Sequence, residues 1–297
     1  MLYPQSRAAL AAEAGQPTVF ETAARIADVR EATRLEAARG VFEDVAHVDE
    51  VAANGVRVRI YRPSADPLLP VILHAHGGGF VFNDVEVHDA VCRRLANRSG
   101  MAVVSVDYRQ PPEHRFPAAV QDMDAVVAWL RAKGADFGLD AGRMAVHGDS
   151  AGGNLALVAA LRNPGAFKAL ALLYPFIDAQ MRRASYVSEA PGSWNRDEAA
   201  WYWEQYAATP ADFTDPDFSP YDAPDVSGLP PTLVMSSEHD PLRDEAEYFA
   251  ARVAEAGVPC VGVRYLGQLH GFWRHSDTYD AAEPLMRQVA GFIQQYI

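Results

Sequence analysis

The chain of 297 residues is 49% hydrophobic, and its formal net charge is −13 at pH 7. This length and composition are sufficient for one sizeable core and favour a single α/β domain with insertions over two equal domains. This negative net charge disfavours nucleic acids and anionic membranes as partners. No apolar run approaches the ~18 residues of a membrane span, and the N-terminal residues lack the features of a signal peptide. We therefore expect a soluble cytoplasmic protein with no nucleic-acid partner and no stable membrane association.

The two cysteines, Cys92 and Cys260, lie far apart in the sequence and show no metal-ligand spacing. A single disulfide between them is one interpretation. Two free, partly buried thiols in a reducing compartment are the favoured one, because cytoplasmic proteins keep their thiols reduced.

The predicted elements begin with helices in the first forty residues. Thr18 and Glu21 form a capping box, Gly40 stands where a helix would end, and apolar residues between them recur at helical spacing. Residues 56–63 alternate apolar and polar side chains, as a half-buried strand does.

From residue 70 onward, strands and helices alternate. Strands are predicted within 70–76, 101–109, 143–149, 168–176, 232–240 and 260–267. Helices are predicted within 88–100, 116–134, 151–163, 244–257 and 284–297. Continuous apolar strands that alternate with amphipathic helices predict a mostly parallel sheet covered on both faces.

Residues 178–225 interrupt this alternation and are rich in aromatic side chains. The aromatic residues of this segment include Tyr186, Trp194, Trp201, Tyr202, Trp203, Tyr206, Phe213, Phe218 and Tyr221. We interpret the segment as an inserted cap. Its aromatic residues either pack the insertion onto the core or line a substrate pocket, and the sequence leaves both interpretations open.

The pentapeptide Gly148-Asp149-Ser150-Ala151-Gly152 matches the G-x-S-x-G nucleophile elbow. A predicted strand precedes it and a predicted helix follows, which is the setting that this motif requires. In such a strained turn, side chains two positions from the serine would clash with neighbouring backbone, so glycine is needed at both positions. The alternative is a glycine-rich turn with an idle serine, and the strand–turn–helix context argues against it.

A serine hydroxyl near neutral pH needs a histidine that accepts its proton. In this type of elbow the acid and the base follow the serine in the chain. His239, His270 and His275 are the histidines beyond Ser150. We predict His270 as the base, because it follows the last predicted strand in a turn-like segment. His239 adjoins the best acid candidate, and His275 lies beyond the turn.

The histidine in turn needs a carboxylate that fixes its tautomer. Asp240 follows a predicted strand and directly precedes a proline, so we predict it as the acid. Glu238 and Asp244 are the competitors. Glu238 is still close to the strand, and we expect Asp244 to cap the following helix.

An acyl-transfer site also needs donors for the oxyanion, each worth roughly 3–4 kcal/mol in the barrier. His76, Gly77, Gly78 and Gly79 directly follow a buried strand, and the glycines allow backbone N–H groups to approach a substrate. The N–H of Ala151 is a further expected donor. His76 precedes the serine, so we expect it to brace the glycine loop.

Together these motifs resemble those of the bacterial hormone-sensitive-lipase-like esterases. The matching segments are HGGGF (76–80), YRQPPEHRFPAA (108–119), GDSAGGN (148–154), DPLRDE (240–245) and LHGF (269–272). Gln110, Pro111 and Arg115 depart from the usual form of the second segment, and we expect them to alter loop packing more than chemistry.

The resemblance implies an α/β-hydrolase fold with a catalytic domain at 46–297 and a helical cap formed by 1–45 and 178–222. It implies a triad of Ser150, Asp240 and His270, with Gly78, Gly79 and Ala151 as oxyanion donors. We expect Phe80, Trp194, Trp201 and Leu242 in the substrate pocket. The resemblance further implies short- to medium-chain acyl esters as substrates, no metal or other cofactor, and a homodimer as a common state.

The expected function is therefore carboxylic-ester hydrolysis through an acyl-enzyme. One alternative is an amidase or N-deacetylase with the same triad, which matched ester and anilide substrates would reveal. Another is a non-catalytic small-molecule receptor of the same fold, which would fail to react with a fluorophosphonate. The sequence does not determine the natural substrate or the chain-length limit.

Overall fold

A mostly parallel sheet lies at the centre of the protein, whose computed structural model describes residues 1–189 and 194–297. Its strands are β1 (His47–Ala53), β2 (Val56–Arg62), β3 (Leu69–Ala75), β4 (Ala102–Val106), β5 (Leu139–Asp149), β6 (Ala169–Leu173), β7 (Thr232–His239) and β8 (Cys260–Leu269). Their spatial order is β1-β2-β4-β3-β5-β6-β7-β8. The pairs β1–β2 and β2–β4 are antiparallel and the other pairs are parallel, which confirms the predicted sheet.

Helices cover both faces of this sheet. The α-helices are α1 (Pro4–Glu13), α2 (Val19–Thr22), α3 (Ile26–Ala37), α4 (Asp89–Ser99), α5 (Ala118–Lys133), α6 (Ala151–Arg162), α7 (Ser185–Ser188), α8 (Arg196–Tyr206), α9 (Arg243–Glu255) and α10 (Ala282–Gln294). Short 3₁₀ helices span Ala23–Arg25, Gly134–Phe137, Pro210–Thr214, Pro220–Asp222 and Phe272–Arg274. One face packs α5, α6 and α9, and the other packs α4 and α10.

The period-2 geometry of a strand assigns each side chain of β3 to one of these two cores. Val71 and Leu73 belong to the core beneath α5, α6 and α9, whereas Ile72 belongs to the core beneath α4 and α10. Because both faces are covered, the strand is apolar apart from His74 rather than alternating, as inferred from the sequence for a buried parallel sheet.

The N-terminal helices and the insertion meet beside the loop that follows β3. The capping box of Thr18 is present, with Glu21 as its partner. Ile26 packs with Val81 and with Trp201 of the insertion in a small apolar cluster. Arg30 Nε donates a hydrogen bond of 2.8 Å to the carbonyl of Val81. These contacts place both segments at the edge of the sheet where the parallel strands end.

The end of α5 differs in detail from the sequence analysis. The helix ends at Lys133, but Gly134 keeps a right-handed conformation (φ −54°) and begins a 3₁₀ turn. The left-handed residue is Gly138, with φ +70°. The chain therefore makes one more turn before it enters β5.

Two predictions from composition also bear on the fold. Cys92 is buried on α4 and Cys260 is half-buried on β8, and both are free thiols, as the favoured interpretation held. Over the described residues, no helix has both the length and the apolar character that crossing a bilayer requires.

Candidate active site

Ser150 occupies a strained turn between the end of β5 and the start of α6. Its backbone has φ 56° and ψ −121°, a conformation that side-chain-bearing residues rarely adopt. A Cβ on Gly148 would lie 2.1 Å from the carbonyl oxygen of Gly152, and a Cβ on Gly152 would lie 2.0 Å from that of Ala75. Glycine is required at both positions for the steric reason that the motif implied.

Three side chains from separate loops meet at this turn. The Oγ of Ser150 lies 2.9 Å from Nε2 of His270, and Nδ1 of His270 lies 2.7 Å from Oδ2 of Asp240. His270 follows the end of β8 and Asp240 follows the end of β7, so the parallel strands bring both to the same edge of the sheet. The other oxygen of Asp240 accepts a hydrogen bond of 2.9 Å from the N–H of Leu242.

This arrangement fixes the tautomer of a neutral imidazole. If Nδ1 of His270 donates to the fully buried carboxylate of Asp240, its Nε2 carries the lone pair that can accept the Ser150 proton. The side chains can therefore move a proton from the serine to the histidine while the carboxylate stabilises the resulting imidazolium.

The competing acids are engaged elsewhere. Glu238 accepts a hydrogen bond of 2.6 Å from the N–H of Gly267. Asp244 lies in the first turn of α9 rather than at its N-cap, and it accepts a hydrogen bond of 2.9 Å from the N–H of Ser185. The expected helix cap is thus replaced by a link to the insertion.

The competing histidines form no hydrogen bond with Ser150 among the described residues. Nδ1 of His239 lies 3.1 Å from a carboxylate oxygen of Glu189. His275 directly follows the 3₁₀ helix Phe272–Arg274, and its carbonyl accepts a hydrogen bond from the N–H of Tyr279. In the described parts of the chain, the Ser150 hydroxyl forms a side-chain hydrogen bond with His270 alone.

The glycine loop after β3 lies beside Ser150. Gly78 has φ +129° and Gly79 has φ +60°, and both line the same cavity as the serine. A Cβ on Gly79 would lie 2.2 Å from the ring of Tyr202, so a side chain cannot be accommodated there. Ala151 is the first residue of α6, where backbone N–H groups have no partner within the helix.

A buried carboxylate anchors this loop, which the sequence analysis did not anticipate. Oδ1 of Asp149 accepts a hydrogen bond of 2.9 Å from the N–H of Gly77 and lies 3.3 Å from Nε2 of His88. Burial by itself would raise the pKa of Asp149, but the facing His88 holds the pKa of this carboxyl well below its usual range. The sequence did contain a signal for this anchor, namely the acidic Asp149 between an apolar strand and Ser150.

His76 braces the loop from the other side, in keeping with the expectation from sequence. Its ring stacks on Tyr108 with ring centroids 4.2 Å apart, and the Tyr108 hydroxyl donates a hydrogen bond of 2.8 Å to the His76 carbonyl. Nδ1 of His76 lies 2.9 Å from the carbonyl oxygen of Gly77. Burial lowers the pKa of His76 to about 3, so the ring is neutral near neutral pH.

A cavity of about 370 Å³ opens above Ser150, within the size range of small-molecule sites. The lining residues are Glu13, Pro17, Val19, Gly78, Gly79, Phe82, Asn83, Asp149, Ser150, Phe176, Trp194, Glu198, Tyr202, His270, Gly271 and Arg274. The N-terminal segment and the insertion both contribute to this wall.

The pocket residues expected from sequence divide into two groups. Trp194 lines the cavity, with its ring 5.2 Å from that of His270. Phe80 is fully buried and stacks on Tyr206 with ring centroids 3.9 Å apart, and Leu242 is fully buried at the start of α9. Trp201 packs against the N-terminal helices instead. Phe80, Trp201 and Leu242 therefore do not line the cavity, because their side chains pack against other parts of the protein.

A group of buried side chains behind the elbow has the composition of a metal site. His74, His88 and Asp149 offer ligand atoms that all lie within 4.8 Å of one another. The protein already supplies partners to two of them, because Asp149 accepts from Gly77 and Nδ1 of His74 lies 2.9 Å from Nδ1 of His147. Of the three residues, Asp149 is the one that forms a hydrogen bond with the glycine loop.

Comparison with known proteins shows the family to which the chain belongs. The profile of a family described as "alpha/beta hydrolase fold" matches residues 72–274. An ethyl acetate hydrolase of Pseudomonas putida is 36% identical over 249 residues, covering 81% of this chain and 78% of the relative. An arylesterase of Saccharolobus solfataricus is 34% identical over 228 residues, covering 72% of each chain.

Solved structures are similar over almost the whole chain. An ester hydrolase from the metagenome of Lake Arreo superposes with a TM-score of 0.91 at 36% identity, covering 99% of both chains. An esterase of Pyrobaculum calidifontis superposes with a TM-score of 0.89 at 38% identity, again covering 99% of both chains. From its profile match, its relatives and its fold, the chain belongs to the α/β-hydrolase family, among the hormone-sensitive-lipase-like carboxylic ester hydrolases.

Proposed function

We propose that this chain hydrolyses short- to medium-chain carboxylic esters with Ser150 as nucleophile, His270 as general base and acid, and Asp240 as the orienting carboxylate. The observation that carries the proposal is the continuous path from Ser150 Oγ through His270 to Asp240, with contacts of 2.9 and 2.7 Å. Relatives that are named for ethyl acetate and aryl esters favour small ester substrates.

The proposed reaction has two acyl-transfer steps. His270 accepts the Ser150 proton as the oxygen attacks the ester carbonyl, and it then donates that proton to the leaving alcohol. Water, deprotonated in the same way, attacks the acyl-enzyme and releases the acid. The N–H groups of Gly78, Gly79 and Ala151 stabilise the oxyanion in both steps, each contributing roughly 3–4 kcal/mol to barrier lowering.

The proposed domain organisation assigns residues 46–297 to the catalytic domain and residues 1–45 and 178–222 to a cap. The support is that Val19 from the first cap segment and Tyr202 from the second both line the cavity that contains Ser150. A homodimer and a cytoplasmic location stay predictions from the sequence and its resemblance.

The decisive experiment replaces the nucleophile. We expect Ser150→Ala to abolish hydrolysis of p-nitrophenyl acetate and butyrate, and a fluorophosphonate to add one label to the wild type and none to the variant. Ser276→Ala is the matched control, since Ser276 is exposed and lies outside the cavity lining. Retained turnover by a folded Ser150→Ala variant would contradict the proposal. Matched ester and anilide substrates with one acyl group separate an esterase from an amidase.

A further inference from the structure

The cavity above Ser150 contains a guanidinium that the proposed reaction does not use. Arg274 ends the 3₁₀ helix that follows His270, and its half-buried side chain lines the same cavity as both residues. Within residues 1–189 and 194–297, Arg274 forms hydrogen bonds through its backbone alone, and its carbonyl accepts one of 2.7 Å from the Arg94 side chain.

The N–H groups of the Arg274 side chain have no acceptor in the described chain. No carboxylate of residues 1–189 or 194–297 lies within 4.0 Å of this guanidinium, and it donates no hydrogen bond there. Arg98 and Arg243 illustrate the contrast, because each is held by two carboxylates. Five N–H donors in a partly enclosed cavity are thus left available to a ligand.

The acidic groups of the cavity do not neutralise this charge. Glu198 accepts a hydrogen bond of 3.0 Å from the N–H of Asn195, which commits it to the start of α8. Glu13 belongs to α1 and forms no ion pair with any described residue. Asp149 is buried and accepts a hydrogen bond from the glycine loop; burial alone would raise its pKa, but the charges of His88 and Arg274 lower it. The positive charge of Arg274 therefore acts on the buried carboxylate of Asp149, next to Ser150.

We propose that Arg274 binds a carboxylate carried by the substrate. The preferred esters are then monoesters of dicarboxylic acids, or hydroxy acids that are acylated on the hydroxyl group and keep a free carboxylate. The inference rests on the proposed function of the same site. A guanidinium matches the planar, two-oxygen geometry of a carboxylate, and partial removal from water strengthens such a pair. The apolar part of the substrate then packs on Phe176, Trp194 and Tyr202, which line the same cavity.

The carboxylate could be carried on either side of the ester, so the test uses two matched pairs, in each of which a methyl group of the neutral ester replaces the carboxylate. Monoethyl glutarate is compared with ethyl pentanoate for the acyl side, and acetoxyacetate with ethyl acetate for the alcohol side. The measured quantity is the ratio of kcat/KM for the anionic ester to kcat/KM for its neutral partner, from pH-stat titration.

In the wild type we expect this ratio to exceed one in at least one pair, mainly through a lower KM for the anionic ester. Arg274→Gln should lower that ratio by about 10- to 100-fold, the range expected for a lost hydrogen bond to a charged group. Arg274→Lys should keep part of the preference. Arg131→Gln, which removes the same charge from the exposed face of α5, should leave the ratio unchanged.

Two results would overturn the proposal: a wild type that prefers the neutral ester in both pairs, or an Arg274→Gln variant that slows both members of a pair equally. Failure of the proposed function is a separate outcome, in which the wild type hydrolyses none of the four esters. Calorimetric binding of monoethyl glutarate and acetoxyacetate to Ser150→Ala, with and without Arg274→Gln, then still decides the role of Arg274. If neither anion binds, or if both bind equally to the two proteins, the proposal is wrong.

Discussion

The buried histidines behind the elbow make the stability of the protein depend on pH, and His147 offers the clearest test. It lies on β5 with its ring completely buried, and its Nδ1 lies 2.9 Å from Nδ1 of His74. Burial lowers the pKa of His147 to about 4. We propose to replace it with asparagine, which keeps a polar group near the position of Nδ1 but does not titrate.

The magnitude follows from the two pKa values. In the unfolded chain a histidine has a pKa of about 6.5, so between pH 6.5 and 4 the unfolded state binds a proton that the folded state does not. The contribution of His147 to stability is therefore fully present above pH 6.5 and is lost as the pH falls towards the folded value. Between pH 7 and pH 5 this loss amounts to about 2 kcal/mol.

The assay is urea unfolding followed by tryptophan fluorescence at pH 7 and pH 5. The free energy of unfolding of the wild type should fall by about 2 kcal/mol more than that of His147→Asn over this interval. His114→Asn, at an exposed position, controls for the substitution itself. An equal fall in the wild type and His147→Asn would refute the reasoning, because it would mean that His147 titrates alike in both states.

Three further predictions concern the elbow, the acid and the cavity. Asp240→Asn should lower kcat by about four orders of magnitude, whereas Asp244→Asn should not; the reverse ranking would reassign the acid. Gly152→Ala should destabilise the protein by about 3 kcal/mol in urea unfolding, because the new Cβ would lie 2.0 Å from the Ala75 carbonyl. Gly291→Ala on α10, where a Cβ meets nothing within 4 Å, should instead be neutral or stabilising. Activity on straight-chain esters should peak at or below about six acyl carbons, given a cavity of about 370 Å³, and a maximum on long-chain triglyceride emulsions would contradict this.

Much of the fold could be predicted because its signals are local. Apolar runs separated by amphipathic segments predicted the parallel strands and their covering helices, since burial on both faces leaves a continuous apolar strand. The glycines around Ser150 were predictable for a similar reason, because the clash that excludes a side chain arises within a few residues of the turn. Chain order, together with a position directly after a strand, then selected Asp240 and His270 as the predicted acid and base.

The sequence by itself thus determined the alternation of the parallel strands with their covering helices, the elbow and the residues that adjoin strand ends, but it did not predict β1 or the helices of the insertion. Only the tertiary structure decided which side chains share a space. It buried Phe80 against Tyr206 and turned Tyr202 towards Gly79, although all three aromatic residues look alike in sequence. It brought His88 to Asp149 and Arg274 into the cavity from distant segments. Such contacts depend on how separate elements pack. The spacing of apolar residues along one helix or strand contains no information about where another element lies.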